Sequence, residues 1–485
     1  MITKRLARWF DDRLGASTFA RSALNKVFPD HWSFMLGEIA MYCFVILVLT
    51  GTYLAFFFST GTPEVVYHGS YLPLRGVHMS EAYASVVKIS FDVRAGLVMR
   101  QTHHWAANVF VAAIVVHLCR IFFTGAFRRP REINWTIGVT MLLLGIFNGF
   151  SGYSMPDDLL SGTGLRIAYS VALSIPFAGT WLAFLAFGGE FPSDQIVHRL
   201  FILHVFIVPA LLAALIGAHL ALIWHQKHTQ FPGKGRTETN VVGSRLYPTY
   251  AMKSIGLFAA IAAVLGGMGG LFQINPIWLY GPFQPSSVLS PAQPDWYLGW
   301  LEGALRVFPN WEFRAGGFAV PNPFFPAVLL PGVTFGLLYA WPFLEARLTG
   351  DRLAHNLLDR PSDHPVRTAF GAMALAFYAL LLFAGSNDLI ARLAKVSVGA
   401  VTWTFRILVV TVPFVVFFVV HRLMRGAQRA GPVRFLEIPL AAFVRGNREK
   451  LSGVAGEKAL QEPEPEPPVT EELERAPGDR FERPG

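Results

Sequence analysis

Eight apolar runs recur along this chain, each about as long as the ~20 residues a helix needs to cross a hydrocarbon core of ~30 Å, and nothing else constrains its fold as strongly. They lie near residues 34–58, 98–124, 133–155, 198–225, 252–273, 324–345, 367–386 and 402–424. Inside a bilayer every span must satisfy its own backbone, so the expected class is all-α: a polytopic membrane protein with eight transmembrane helices. Composition supports this, because 53% of the 485 residues are hydrophobic and only 15% are charged, too apolar for an ordinary soluble chain.

The formal net charge of +9 would suit nucleic acid, but the basic residues sit in short connections between apolar runs, as membrane topology requires. Membrane lipid is therefore the expected surrounding, and nucleic acid is not a partner. Basic content alternates along the connections. The amino-terminal segment and every second connection are rich in it (Arg5, Arg13, Arg128, Arg131, Lys234, Arg352), whereas those between are sparse. By the positive-inside rule, both termini are expected to be cytoplasmic, and the connections 59–97, 156–197, 274–323 and 387–401 to face outward. The first thirty residues lack the apolar core and cleavage site of a secretory signal, so the first span is expected to direct insertion. Two cysteines, Cys43 and Cys119, lie inside apolar runs and read as small core residues, not as a disulfide framework or a c-type haem attachment.

Four segments follow. Residues 1–32 form a cytoplasmic lead, 33–240 a four-helix bundle, and 241–425 a second group of four helices; 426–485, ending in a Glu- and Pro-rich stretch, form a cytoplasmic tail expected to be disordered. Residues 161–189, apolar but broken by Gly and Pro, read as interfacial helices.

Histidines carry the chemistry. His103 and His117 are fourteen residues apart in one run, which separates them by about 21 Å along a helix and returns them to nearly the same face. His204 and His219 are fifteen apart in another. The two runs cross in the same direction, so His103 faces His204 near the outer surface and His117 faces His219 near the inner one. Each pair can bind a haem iron from both sides, and bis-imidazole ligation suits electron transfer, not oxygen chemistry. A single membrane histidine is more often an interhelical hydrogen bond; four at matched depths reverse that reading. Pro209 is expected to distort its helix and reconcile the two spacings. His104 points about 100° away from His103, and as a ligand it would shorten the spacing to thirteen. Arg100, Arg120 and Arg199 stand at levels where they could pair with haem propionates or simply snorkel.

Taken together, these features resemble cytochrome b of the cytochrome bc complexes, over roughly residues 10 to 425. Pro294-Asp295-Trp296-Tyr297 is similar to that family's Pro-Glu-Trp-Tyr motif, with Asp in place of Glu. The resemblance implies that Asp295 accepts a proton at the outward quinol site and that Tyr297 borders it. A surface turn capped by Asp is the plainer alternative. Residues 152–156 resemble the family's Gly-Tyr-x-Leu-Pro, which puts Tyr153 in the same pocket. Gly37 and Gly51, and Gly138 and Gly152, match glycines that let a macrocycle approach a helix, although small residues also serve plain packing. Gly37 also falls where photosynthetic relatives carry a cysteine for an extra haem, so two haem b groups are implied and no third.

The candidates for the inward quinone site are His225, Lys253 and Ser254. His225 follows His219 by six residues where mitochondrial relatives have five, and Lys253-Ser254 stands where those carry Lys-Asp. The motif Asp and the segment 357–371 look actinobacterial, a branch in which menaquinol is the usual donor. The resemblance further implies a Rieske iron-sulfur subunit and a c-type cytochrome subunit as partners, a homodimeric core, and a supercomplex with a terminal oxidase. Two competing readings are a di-haem membrane anchor of another quinone-linked dehydrogenase or reductase, and a proton-coupled transporter; the Asp295 motif argues against the first, the want of an internal repeat against the second.

Overall fold

The computed structural model describes residues 11–13, 15–287, 293–429 and 469–472, together with Arg5 and Trp9. Among the described residues, eight helices are long and apolar enough to cross a membrane: Trp32–Ala55, Gly96–Phe123, Glu132–Ser154, Ile196–Gln226, Leu246–Leu271, Phe325–Thr349, Pro365–Ala384 and Val398–Arg429. All eight expected spans are therefore present. Large apolar side chains point out of them, with Leu49 64%, Phe206 61%, Ile255 61% and Val410 63% exposed, as spans solvated by lipid require.

In chain order the helices are α1 (Ala16–Leu24), α2 (Met35–Ala55), α3 (Glu81–Phe91), α4 (Gly96–Phe123), α5 (Glu132–Ser154), α6 (Leu159–Leu173), α7 (Gly179–Phe187) and α8 (Ile196–Gln226). Then come α9 (Ala251–Leu271), α10 (Ile277–Tyr280), α11 (Trp296–Val307), α12 (Leu330–Thr349), α13 (Pro365–Ala384), α14 (Asn387–Ala394) and α15 (Val398–Arg429). Helices α6 and α7 fill the stretch read as interfacial; Leu165 and Phe187 pack with Ile196, Val197 and Leu200 at the start of α8.

Helices α2 and α4 pack along their length, and α9 lies across both. Their shared core holds Ala40, Cys43 and Ile46 of α2, Ala106, Phe110 and Val111 of α4, and Leu265 of α9. Cys43 is fully buried there, as a small core residue should be. Tyr297 of α11 reaches into the same cluster, so the spans on both sides of residue 240 share one core. A second cluster joins α11, α13, α14 and α15 through Ala304, Leu381, Ala391 and Val401.

Helix α8 is interrupted by a π turn at Leu203–Ile207, followed at once by Pro209. Proline offers no N–H to the residue four before it, and a π turn takes up one extra residue. The fifteen-residue spacing from His204 to His219 thus does the geometric work of fourteen, which is the distortion expected of Pro209.

Short strands sit at the bundle ends. Val27–Phe28 (β1) pairs antiparallel with Asn240–Arg245 (β4), Glu64–Val66 (β2) with His78–Ser80 (β3), and Phe313–Ala315 (β5) with Phe318–Val320 (β6). Val469–Glu472 (β7) adds to the other side of β4, with Val241 opposite Glu471. Helix α15 runs past residue 426 to Arg429, and β7 lies along the open edge of β4. The rest of the tail lies outside the described residues. We call the end carrying β1 and β4 the inner end, after its basic residues, and the opposite end the outer end.

Candidate functional site

Two imidazole couples lie between α4 and α8. The His103 and His204 ring centroids are 6.1 Å apart with planes at 68°; those of His117 and His219 are 6.5 Å apart with planes at 73°. Two iron–nitrogen bonds of about 2 Å and two ring radii of about 1.1 Å put the centroids roughly 6.2 Å apart, so both separations match an iron held between the rings. Packing alone would allow closer approach.

Neighbouring groups fix the outer rings. His204 Nδ1 lies 2.9 Å from the Asn148 carbonyl oxygen and so must donate to it, which leaves Nε2 with the lone pair a metal needs. His103 Nδ1 lies 2.9 Å from Thr50 Oγ1. Three of the four glycines face these rings: a Cβ at Gly37 would lie 3.4 Å from the His117 ring, one at Gly51 3.0 Å from His103, and one at Gly152 2.4 Å from His204. Gly138 meets no described atom within 4 Å. A side chain at Gly152 would push His204 off its partner, and one at Gly51 would crowd His103.

At the inner couple, His117 Nδ1 and both Nε and Nη2 of Arg120 are buried without a hydrogen-bond partner among the described residues. Arg120 lies over the Phe34 ring at 4.3 Å. A buried guanidinium with unused donors fits an anionic group in the adjoining slot, as a propionate would be. Arg100 is likewise buried, donating to the Asn275 carbonyl at 2.5 Å. Arg199 is not brought to the site: it donates to the Leu185 carbonyl and to Gln195 Oε1, pinning the loop ahead of α8. The donor set therefore fits two b-type haems.

A cavity of about 250 Å³ joins the outer couple to the Pro294–Tyr297 motif. Its walls include His103, His204, Gly51, Gly152 and Arg100, and also His104, Tyr153, Asp295 and Tyr297. Asp295 is the N-cap residue of α11, yet its side chain makes no capping bond. It turns instead to His104, whose Nε2 lies 2.8 Å from Oδ1 and 2.9 Å from Oδ2, and to Tyr297, whose hydroxyl donates to Oδ2 at 2.8 Å. The surface-turn reading of the motif falls with this, for the side chains of Asp295 and His104 are only 14% and 13% exposed. Burial alone would raise the Asp295 carboxyl; contact with His104 and hydrogen bonds from His104, Tyr297 and Asn108 bring it below its ordinary value. The Tyr297 hydroxyl is driven well above its usual range by burial and by the Asp295 charge. Gly149 makes room for it, since a Cβ there would lie 2.4 Å from that oxygen.

The inner end gathers a different set. Ser254 Oγ donates to Glu38 Oε2 at 2.6 Å, Tyr250 donates to Glu38 Oε1, and Tyr42 hydrogen-bonds Ser254. Lys253 pairs with Asp30 at 2.8 Å in a half-exposed bridge, and His225 is exposed near the end of α8. His228 is buried against Phe28, with burial pushing its imidazole down to about 3. Glu38, Tyr42 and Tyr250 were not singled out by motif or spacing, and His104 was weighed only as an alternative ligand. A signal for Glu38 did exist, because it is the only charged residue of the first apolar run, and an ionisable residue inside a span marks function by default.

Comparison with known proteins agrees with this arrangement. The family model described as cytochrome b (N-terminal)/b6/petB matches residues 108–282. The cytochrome bc1 complex cytochrome b subunit of Mycobacterium tuberculosis is 55% identical over 430 residues, covering 88% of this chain and 78% of that one. The corresponding subunits of Corynebacterium diphtheriae and Streptomyces coelicolor are 52% and 48% identical, each covering 78% of its own length and 87% and 88% of this chain. Among solved structures, a chain of a hyperthermophilic respiratory complex III superposes with a TM-score of 0.61 at 20% identity, covering 86% of this chain and 99% of that one, which speaks to the fold alone. With 48–55% identity to these relatives across nearly nine-tenths of its length, the chain belongs to the cytochrome b family, among the cytochrome bc1 complex cytochrome b subunits of actinobacteria.

Proposed function

We propose that this chain oxidises quinol at its outer end and reduces quinone at its inner end, as the membrane subunit of a quinol–cytochrome c reductase. One observation carries the reading: both imidazole couples stand at the separation of bis-ligated iron, and the outer couple shares its cavity with the buried carboxylate of Asp295. Membership in the cytochrome b family implies haem b. Bound between the couples, two b-type haems supply a one-electron relay between the two ends of the bundle.

The residues of the chain do the rest. His103, His204, His117 and His219 would hold the two haems, Asn148 and Thr50 orient the outer rings, and Arg100 and Arg120 would meet the anionic edge of the groups. Quinol enters the outer cavity against Tyr153 and Tyr297, and Asp295 takes one hydroxyl proton as the electrons depart. A carboxylate below its ordinary value is deprotonated and ready at neutral pH. One electron goes to an external iron-sulfur centre. Cys43 and Cys119, both inside spans, offer no site for a cluster, so that centre belongs to a Rieske-type partner, with a c-type cytochrome subunit beyond it. Bound haems would carry the other electron to the inner end, where two turnovers supply the two electrons that one quinone takes and where Glu38 and Ser254 form the proton-handling core, with Lys253 and His225 at its rim.

Proton release outside and uptake inside make the reaction a charge-translocating step. The donor is menaquinol, the active unit is a homodimer joined to a terminal oxidase, and both termini are cytoplasmic. Residues 33–240 hold the haems and 241–425 complete the quinol site. A reduced-minus-oxidised visible spectrum of the purified protein tests the reading: two b-type signals are expected, and a colourless protein overturns it.

A further inference from the structure

We propose that His104 is the positioning residue of the outward quinol site, holding the Asp295 carboxylate in the orientation from which it meets the quinol hydroxyl. The proposal rests on the role given to Asp295 above and adds the group through which that role is set.

Helix phase supplies the first part of the argument. Successive residues of α4 are turned by about 100°, so adjacent imidazoles serve different partners. His103 faces His204 across the haem slot, and His104 faces the start of α11. Its Nε2 stands within hydrogen-bond reach of both Asp295 oxygens, and next to an ionised carboxylate that nitrogen must carry the proton. His104 thus bridges the carboxylate edge, a contact that restrains rotation about the Cβ–Cγ bond.

What Asp295 gives up supplies the second part. As the N-cap residue of α11 it would ordinarily turn back to the first backbone N–H groups of that helix. It makes no such bond; the Leu298 N–H is closed by the Asp295 carbonyl instead, which frees the side chain to reach across to α4. Nothing in the local sequence around residue 295 demands that outward turn, so the partner on α4 sets it. Tyr297 then approaches Oδ2 from the same helix as Asp295, and between them the two donors define the carboxylate plane. A quinol hydroxyl arriving through the cavity displaces one fixed donor and does not have to capture a rotating acceptor, which is how preorganisation lowers a barrier.

The test uses the assembled complex, with both b-type haem signals confirmed in every variant. His104→Ala is expected to lower kcat about 10²-fold, as a misplaced reacting group does, with a smaller change in the KM for quinol. The titratable groups facing Asp295 are His104 from α4, Tyr153 from α5, Tyr280 from α10 and Tyr297 from α11, and Arg100 lines the same cavity. Losing the His104 donor leaves burial to raise the carboxyl, so the acid limb of the kcat profile should move to higher pH. His104→Gln, whose amide N–H reaches a similar point, should recover most of the rate. His104→Asn, too short to reach, should not, and it stands in wherever His104→Ala fails to keep both haems. Because His104 acts through Asp295, the double variant with Asp295→Asn should be no slower than Asp295→Asn alone. Full activity in His104→Ala or His104→Asn, or additive losses in the double variant, would overturn the proposal and leave Asp295 in its role. Full activity in Asp295→Asn would remove both readings together.

Discussion

The two ends of the bundle handle a carboxylate in opposite ways. At the outer end Asp295 sits on a connection between spans, at the mouth of α11, and is met by an imidazole and a phenol that belong to different helices. At the inner end Glu38 is built into a span, one turn into α2, and its hydrogen-bond partners among the described residues are hydroxyls: Ser254, Tyr250 and, at 3.5 Å, Tyr42. An imidazole N–H and a phenol hold the outer carboxylate in one orientation, whereas hydroxyls link the inner one into a hydrogen-bonded chain. Under the proposed function, the outer carboxylate is then the base that meets quinol, and the inner one shares protons along its hydroxyls for delivery to quinone.

The largest effects should come from the couples that link the ends. His204→Ala is expected to remove one of the two b-type signals and take quinol oxidation below detection, because the cavity then adjoins no electron acceptor. His219→Ala should remove the other signal yet leave the first electron transfer out of quinol intact. Single-turnover reduction of the remaining haem, followed optically, separates the two. Equal behaviour in both variants would show that the outer and inner couples are not in series.

Much of this was legible beforehand, and the reasons differ by element. Eight spans follow from hydropathy because lipid leaves the backbone no other option. The pairing of His103 with His204 and of His117 with His219 follows from helical phase, which survives any tertiary context. The spacing of fifteen was readable only as an anomaly, since Pro209 marks a distortion without saying that it takes the form of a π turn at Leu203–Ile207. His104 could be placed off the ligand face but not given a partner, because the partner arrives from a connection 191 residues away. Arg199 was placed by level alone, and its neighbours in the loop ahead of α8 claimed it first. Ser254 was visible as a departure from the family's aspartate; that a glutamate from α2 meets it there was not.

Smaller effects should divide the two carboxylates. Asp295→Asn is expected to lower kcat by about 10²–10⁴-fold with the visible spectrum unchanged, the range for a positioned proton acceptor. Glu38→Gln should do less, about tenfold, because Tyr42, Tyr250 and Ser254 still provide a path for protons. The deficit should show in re-oxidation of the inner haem by quinone and not in its reduction by quinol. If Glu38→Gln slowed the outward half-reaction as much as Asp295→Asn does, the contrast between a fixed base and a proton-sharing network would collapse.

The gentlest probe sets the glycines against each other. An alanine at Gly152 meets the His204 ring at 2.4 Å and should loosen the outer haem whatever the macrocycle does. An alanine at Gly138 meets no described atom within 4 Å, so the chain itself supplies no reason for it to matter. If a porphyrin edge lies over Gly138, the added methyl must displace it, and the inner b-type signal should shift or weaken while the outer one holds. Unchanged inner absorbance in Gly138→Ala, beside a disturbed outer signal in Gly152→Ala, would mean that the fourteen-residue pairing of Gly138 with Gly152 reflects helix packing and that Arg120 and the two inner imidazoles hold their haem without a glycine cradle on α5.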